Sequence, residues 1–158
     1  MASALNTEKI FSKIAIAMYD HDPGATTAII CSGDGGTTKN YVDMLSYGRF
    51  GVEAMLSVIG SSSGMTLLEI VACAATNFSS VVVVKTTGTI AADAVGDYAV
   101  LECTAEEIAQ LATDNSAALR YAAARITCSN AGDECVVTYI LAEPRFAYSG
   151  LTATTISA

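Results

Sequence analysis

The chain has 158 residues with one histidine, five cysteines, no tryptophan and a formal charge of −8 at pH 7. That length fits one domain with a real core, and the acidic balance, with eight scattered Lys and Arg, has the wrong sign for gripping a phosphate backbone. Apolar residues make up 52% and mean hydropathy is +0.44, yet no apolar run reaches the ~20 residues of a membrane helix, so the surplus points to surface buried against other subunits.

Residues 1–24 read as an N-terminal arm, mobile or bound to a partner, because Asp20-His21-Asp22-Pro23-Gly24 is turn chemistry separating them from the rest of the chain. Ile10, Phe11, Ile14, Ala17 and Met18 fall near helical spacing, while Ile14–Tyr19 equally suits an extended segment. Glu8, Lys9 and Lys13 interrupt the stretch where a secretory leader would be apolar. Residues 25–150 read as a β-sandwich. Strands are expected at Thr26–Cys31 and at Tyr41–Met44, on either side of the Gly-rich loop Ser32–Lys39. Arg49–Ile59 and Met65–Ala75 flank Gly60-Ser61-Ser62-Ser63-Gly64 and read as a central β-hairpin with a longer loop. Val81-Val82-Val83-Val84 opens a strand ending at Thr86 that reads as buried on both faces.

After the loop Thr87–Asp97, a strand Tyr98–Cys103 runs into Thr104-Ala105-Glu106-Glu107. Thr with Glu three residues on is a capping box, which predicts a helix over Ala105–Thr113. Leu119–Thr127 and Cys135–Tyr148 are expected to pair as a second hairpin, and Pro144 suits a strand end because it donates no ladder bond. The tail 151–158 carries no charge. Short strands between Gly, Ser, Asn and Asp turns, with one small helix, indicate a mainly β chain: an antiparallel β-sandwich of jelly-roll type.

The five cysteines contain no CxxC and read as reduced, buried thiols. One pair stands apart. Cys128 and Cys135 bracket the turn Ser129–Glu134, and residues facing across an antiparallel pair approach closely enough for a disulfide. His21 between Asp20 and Asp22 could serve as a base or metal ligand, but its turn setting favours a solvated residue. Ser32-Gly33-Asp34-Gly35-Gly36-Thr37-Thr38-Lys39 lacks the Lys-Ser/Thr and the following helix of a P-loop. Glu106 and Glu107 are helix-start carboxylates. Asp93, Asp97, Asp133 and Glu134 have no Ca²⁺-ligand spacing. No catalytic, cofactor or metal site is expected, and the chain reads as non-enzymatic.

The order Tyr41-Val42-Asp43-Met44, Ser46-Tyr47-Gly48, Arg49–Ile59, a Gly/Ser loop and Met65-Thr66-Leu67-Leu68-Glu69 resembles a family of small structural proteins of tailed bacteriophages. Thr104-Ala105-Glu106-Glu107-Ile108, Arg120-Tyr121 and Ala142-Glu143-Pro144-Arg145-Phe146 extend the likeness over roughly residues 14–148, while Ala72-Cys73-Ala74 departs from it. The resemblance implies a head auxiliary protein, a cement or decoration protein on the virion capsid surface. Its partner would be the major capsid protein, with copies assembling as a trimer and with no cofactor, nucleic acid or membrane involved. Contact with shell and subunits would then fall on the apolar arm residues Phe11, Ile14, Ile16 and Met18 and the tail residues Leu151 and Ile156. Two other readings stand beside it: a tail-tube, connector or minor capsid component, and a carbohydrate-binding sandwich, for which exposed aromatics are few.

Overall fold

A computed structural model describes residues 14–22, 26–32, 37–60 and 64–145. In chain order its elements are β1 (Ile14–His21), β2 (Ile29–Ile30), β3 (Val42–Asp43), β4 (Tyr47–Val58), β5 (Met65–Cys73), β6 (Val82–Thr86), β7 (Tyr98–Thr104), α1 (Ala105–Asp114), β8 (Tyr121–Cys128) and β9 (Glu134–Pro144). Two-residue periodicity sets the long strands. In β4, Phe50, Val52, Ala54 and Leu56 point into the core, and in β9 Cys135, Val137, Tyr139 and Leu141 do the same.

The strands form two antiparallel sheets. The front sheet has the order β1-β9-β4-β7, and the back sheet the order β2-β8-β5-β6, with β3 also paired to β8. The chain changes sheet at every connection between strands except β2–β3 and β5–β6. This is the strand order of a jelly roll, which meets the sandwich expectation. Side chains from both sheets fill one core: Phe50, Leu56, Val137 and Tyr139 from the front, Leu68, Ile70, Ala124 and Ile126 from the back.

That crossing pattern corrects both expected hairpins. β4 and β5 do not pair; β4 bonds to β7 and β9, and β5 to β6 and β8. Likewise β8 lies in the back sheet and β9 in the front. The connectors are therefore arches over the core, not turns within a sheet. The physical reason is that β4, β5, β8 and β9 are all interior strands, each needing a ladder on both sides, and apart from β6 beside β5 those ladders come from strands that are not sequence neighbours. A five-residue Gly/Ser linker serves either geometry, so local chemistry could not choose between them.

The valine-rich strand is also corrected. β6 is the outer strand of the back sheet and only half-buried, with Val83 39% exposed. Ile14–His21, expected in the arm, is a strand of the front sheet paired residue for residue with β9, from Ile14 opposite Ala142 to His21 opposite Cys135. Its Ala17, Tyr19 and His21 turn toward the core and Ile16, Met18 and Asp20 away, so the apolar spacing is that of a strand. The helix matches its expectation: Thr104 Oγ1 accepts from the Glu107 N–H and Glu107 Oε2 accepts from the Thr104 N–H, closing the capping box.

Candidate interaction surface

The register of the front sheet places its outward side chains in rows. One row is Ile16, Ile140, Gly51 and Glu102; the next is Met18, Thr138, Glu53 and Val100; the third is Asp20, Val136, Met55 and Tyr98. Ile16 is 55% exposed, Met18 66%, Val100 56% and Tyr98 66%. Half of the ten large apolar residues exposed among the described ones lie on this one face, Met55 being the fifth. Both outer strands contribute, Ile16 and Met18 from β1 and Val100 and Tyr98 from β7. The row Val136, Met55 and Tyr98 is continuous, while Thr138 and Glu53 stand between Met18 and Val100. Several exposed apolar residues gathered on one face differ from the single ones every surface carries.

The back sheet is partly covered by its own chain. The loop after β5 turns at Phe78, whose φ of 51° lies in the left-handed region, and folds Phe78 over Ile30, Val71, Cys73 and Ala123. Tyr41 packs on Phe78 and on Tyr121, with ring centroids 6.1 and 5.4 Å apart. Beyond this cluster Glu69 and Arg125 face each other across β5 and β8 and bond through Oε2 and Nε at 2.6 Å. Among the described residues, then, part of the back sheet is covered by its own chain and the outer face of the front sheet is bare.

Charge on the bare face is lopsided. Asp20, Glu53 and Glu102 stand in the rows above. The row nearest the helix holds Arg49, whose guanidinium is held by Glu143 at 3.0 Å. Self-stacking of such a face would bring carboxylates together in a desolvated contact, which costs free energy.

The other polar groups serve the fold. Glu107 divides its carboxylate between the helix cap and the Lys85 ammonium, and both partners hold its pKa below the usual range. Cys103 beside them is pushed up to about 12 by burial, the reverse of an activated thiol. His21, expected in a solvated turn, is fully buried at the end of β1. Its Nδ1 accepts from the Ser32 N–H at 3.3 Å, and burial pushes its pKa down to about 4. The grooves are shallow. One of about 220 Å³ lies between α1 and the turn before β4, floored by Met44, Ala105 and Ile108 and flanked by Arg120 and Arg145. Another of about 360 Å³ lies between Ile90–Ala92 and Gly96–Ala99; the first is below and the second at the lower end of the range of ordinary small-molecule pockets. Among the described residues no three His, Cys, Asp or Glu side chains cluster as metal ligands, and no helix is long and apolar enough to cross a membrane.

Of the contact residues expected from sequence, Ile16 and Met18 lie on the bare face, and Ile14 begins the same strand. Phe11, Leu151 and Ile156 lie outside the described residues. Sequence reasoning missed Met55, Val100, Tyr98, Val136 and Ile140, because each sits inside an ordinary strand pattern and only the register between strands collects them. No family model matches the chain, and neither a curated protein nor a solved structure is significantly similar to it.

Proposed function

We propose that the chain is a non-enzymatic virion structural protein, a cement or decoration protein that lays the outer face of its front sheet on the shell of a tailed-phage head. The observation that carries this reading is the bare apolar face of an acidic sandwich. An apolar protein surface with basic groups placed opposite Asp20, Glu53 and Glu102 complements it in both respects. Repetition over hundreds of shell sites turns a contact of ordinary size, ~1,600 Å² in total, into reinforcement of the whole head. Trimers around local three-fold axes would satisfy shell symmetry.

Two measurements test the reading. Light scattering after size exclusion should give a trimer, three copies of 16.3 kDa or about 49 kDa, or a monomer that trimerises only on shells. Stacking hexameric rings would favour a tail-tube component instead. Co-sedimentation with heads stripped of their outer proteins should retain the wild type. The double variant Met18→Glu, Val100→Glu should bind at least ~100-fold more weakly, since each substitution removes about 1.5 kcal/mol of apolar burial. Circular dichroism should leave its fold unchanged, both side chains pointing outward. Wild-type protein that never pellets with any stripped head would defeat the proposal.

A further inference from the structure

Cys128 ends β8 in the back sheet, and Cys135 is the second residue of β9 in the front sheet. Cys128 continues the inward series Ala122, Ala124, Ile126; Cys135 begins the inward series Val137, Tyr139, Leu141. Their side chains therefore enter the core from opposite sheets. Both are 1% exposed and belong to the same core cluster, and each thiol perturbs the other, Cys135 lowering the pKa of Cys128. The arch between them is short and pinned: the buried Asp133 carboxylate accepts from the N–H groups of Asn130 and Gly60, while the Ser129 N–H donates to the Gly64 carbonyl of the neighbouring arch. Two thiols brought into one core by two fixed strands and a pinned arch have little freedom to lose on bonding.

We propose that Cys128 and Cys135 are the site of an inter-sheet disulfide, formed by exchange with a low-molecular-weight disulfide once the protein leaves a reducing compartment. The Cys128 thiolate attacks one sulfur of the small disulfide, forming a mixed disulfide and releasing one small thiolate. That thiolate takes up the Cys135 proton, and the Cys135 sulfur attacks the Cys128 sulfur and expels the second small thiolate, which is protonated by water. Two protein thiols and one small disulfide become one protein disulfide and two small thiols. Cys135 holds the Cys128 thiol below its usual pKa and makes it the attacking group, while burial holds the neighbouring Cys31 thiol up at about 11. Because both sulfurs lie below the surface, exchange waits on local opening of the Ser129–Asp133 arch and favours small reagents. This chemistry stands independently of the shell-docking reading.

The test uses the full chain incubated with hydroxyethyl disulfide under native conditions, then alkylated and mapped by mass spectrometry. The expected product has no disulfide between chains; three of the five thiols remain alkylatable and one peptide pair within the chain carries the Cys128–Cys135 bond. Its Tm should rise by about 5 °C and return on treatment with dithiothreitol. Cys135→Ser should stop at the mixed disulfide on Cys128 with no rise in Tm. If that variant misfolds, wild-type mapping alone decides. A bond from either residue to Cys31, a disulfide between chains, or five free thiols after prolonged incubation would each overturn the proposal.

Discussion

Tyr139 joins the two sheets through one oxygen. Its ring stands edge-on to Phe50 at 4.9 Å and to Tyr19 at 5.1 Å. Its hydroxyl donates to the Asn40 carbonyl at 2.9 Å and accepts from the Ala124 N–H of the back sheet at 2.8 Å. Tyr139→Phe keeps the ring and strands both backbone groups in the core, so unfolding in urea should show a loss of about 2 kcal/mol with an unchanged m-value. A loss below ~0.5 kcal/mol would mean that water replaces the hydroxyl at no cost. His21 makes a second residue-scale prediction, in pH. Burial lowers its folded pKa to about 4, and the Ser32 N–H pointing at Nδ1 needs that nitrogen unprotonated. The unfolded chain, with a His pKa near ~6.5, therefore binds the proton more tightly. Stability from this group is complete above pH ~6.5 and falls as pH drops through 6.5 to 4, by up to about 3 kcal/mol. Asp43 and Glu107 have lowered pKa values, through hydrogen bonds from Arg120 and Lys85 respectively, so their contribution is lost only at more acid pH. Denaturation midpoints at pH 7 and pH 5 should separate the two windows, and His21→Leu should flatten the upper one alone.

The described ends of the first arch, Gly60 and Gly64, lie against the arch Ser129–Asp133 at one end of the sandwich. A Cβ on Gly60 would come 2.8 Å from Asn130 Oδ1, and one on Gly64, at a φ of +45°, would come within 2.1 Å of the Ala92 carbonyl oxygen. Both glycines are set by close packing. Asp133 is the fastener: its carboxylate takes the Gly60 N–H at 2.9 Å and the Asn130 N–H at 2.8 Å, with the Ser129 hydroxyl at 3.3 Å. Asp133→Ala leaves two N–H donors unpaired under cover and should cost about 3 kcal/mol, with faster amide hydrogen exchange at Gly60 and Asn130 than elsewhere in the sandwich. Exchange that rises equally everywhere would assign the loss to the whole fold instead. These arches also mark what the sequence could say about the elements. Gly60–Gly64 and Ser129–Glu134 were legible as reversals, the capping box gave the helix to within one residue, and the strand cores were visible from periodicity. The partner of each strand was not, because a ladder joins residues far apart in the chain through backbone groups that every residue carries. The same gap misplaced Val82–Thr86, whose β-branched run marks a strand but carries no sign of its position in the sheet.

At the scale of the whole molecule, the sandwich has unlike sides, and that difference was only partly legible. Ile16 and Met18 stood out in the sequence as apolar residues without an evident place in a core, while Val100 and Tyr98 looked like ordinary strand residues. Placing β1 and β7 on opposite edges of one sheet put all four on the same outer face. The carboxylates on that face fix the sign of a further prediction. If the face binds a surface that sets Lys and Arg opposite them, each association neutralises Asp20, Glu53 and Glu102, and screening weakens it; with a Debye length of ~10 Å at 0.1 M salt and ~3 Å at 1 M, most of the attraction between exposed groups disappears across that range. If the face instead stacks on a second copy, the same carboxylates repel, and salt strengthens association while apolar burial is unaffected or slightly enhanced. The two occupants therefore predict opposite slopes in a single titration. Binding to stripped heads measured from ~0.05 to ~1 M NaCl should weaken by about tenfold or more, chiefly through a slower on-rate, and Glu53→Gln, Glu102→Gln should flatten that dependence without altering the fold. A salt-strengthened trimer or dimer in light scattering, lost in Met18→Glu, Val100→Glu, would place a second copy on the face and move the shell contact elsewhere on the molecule.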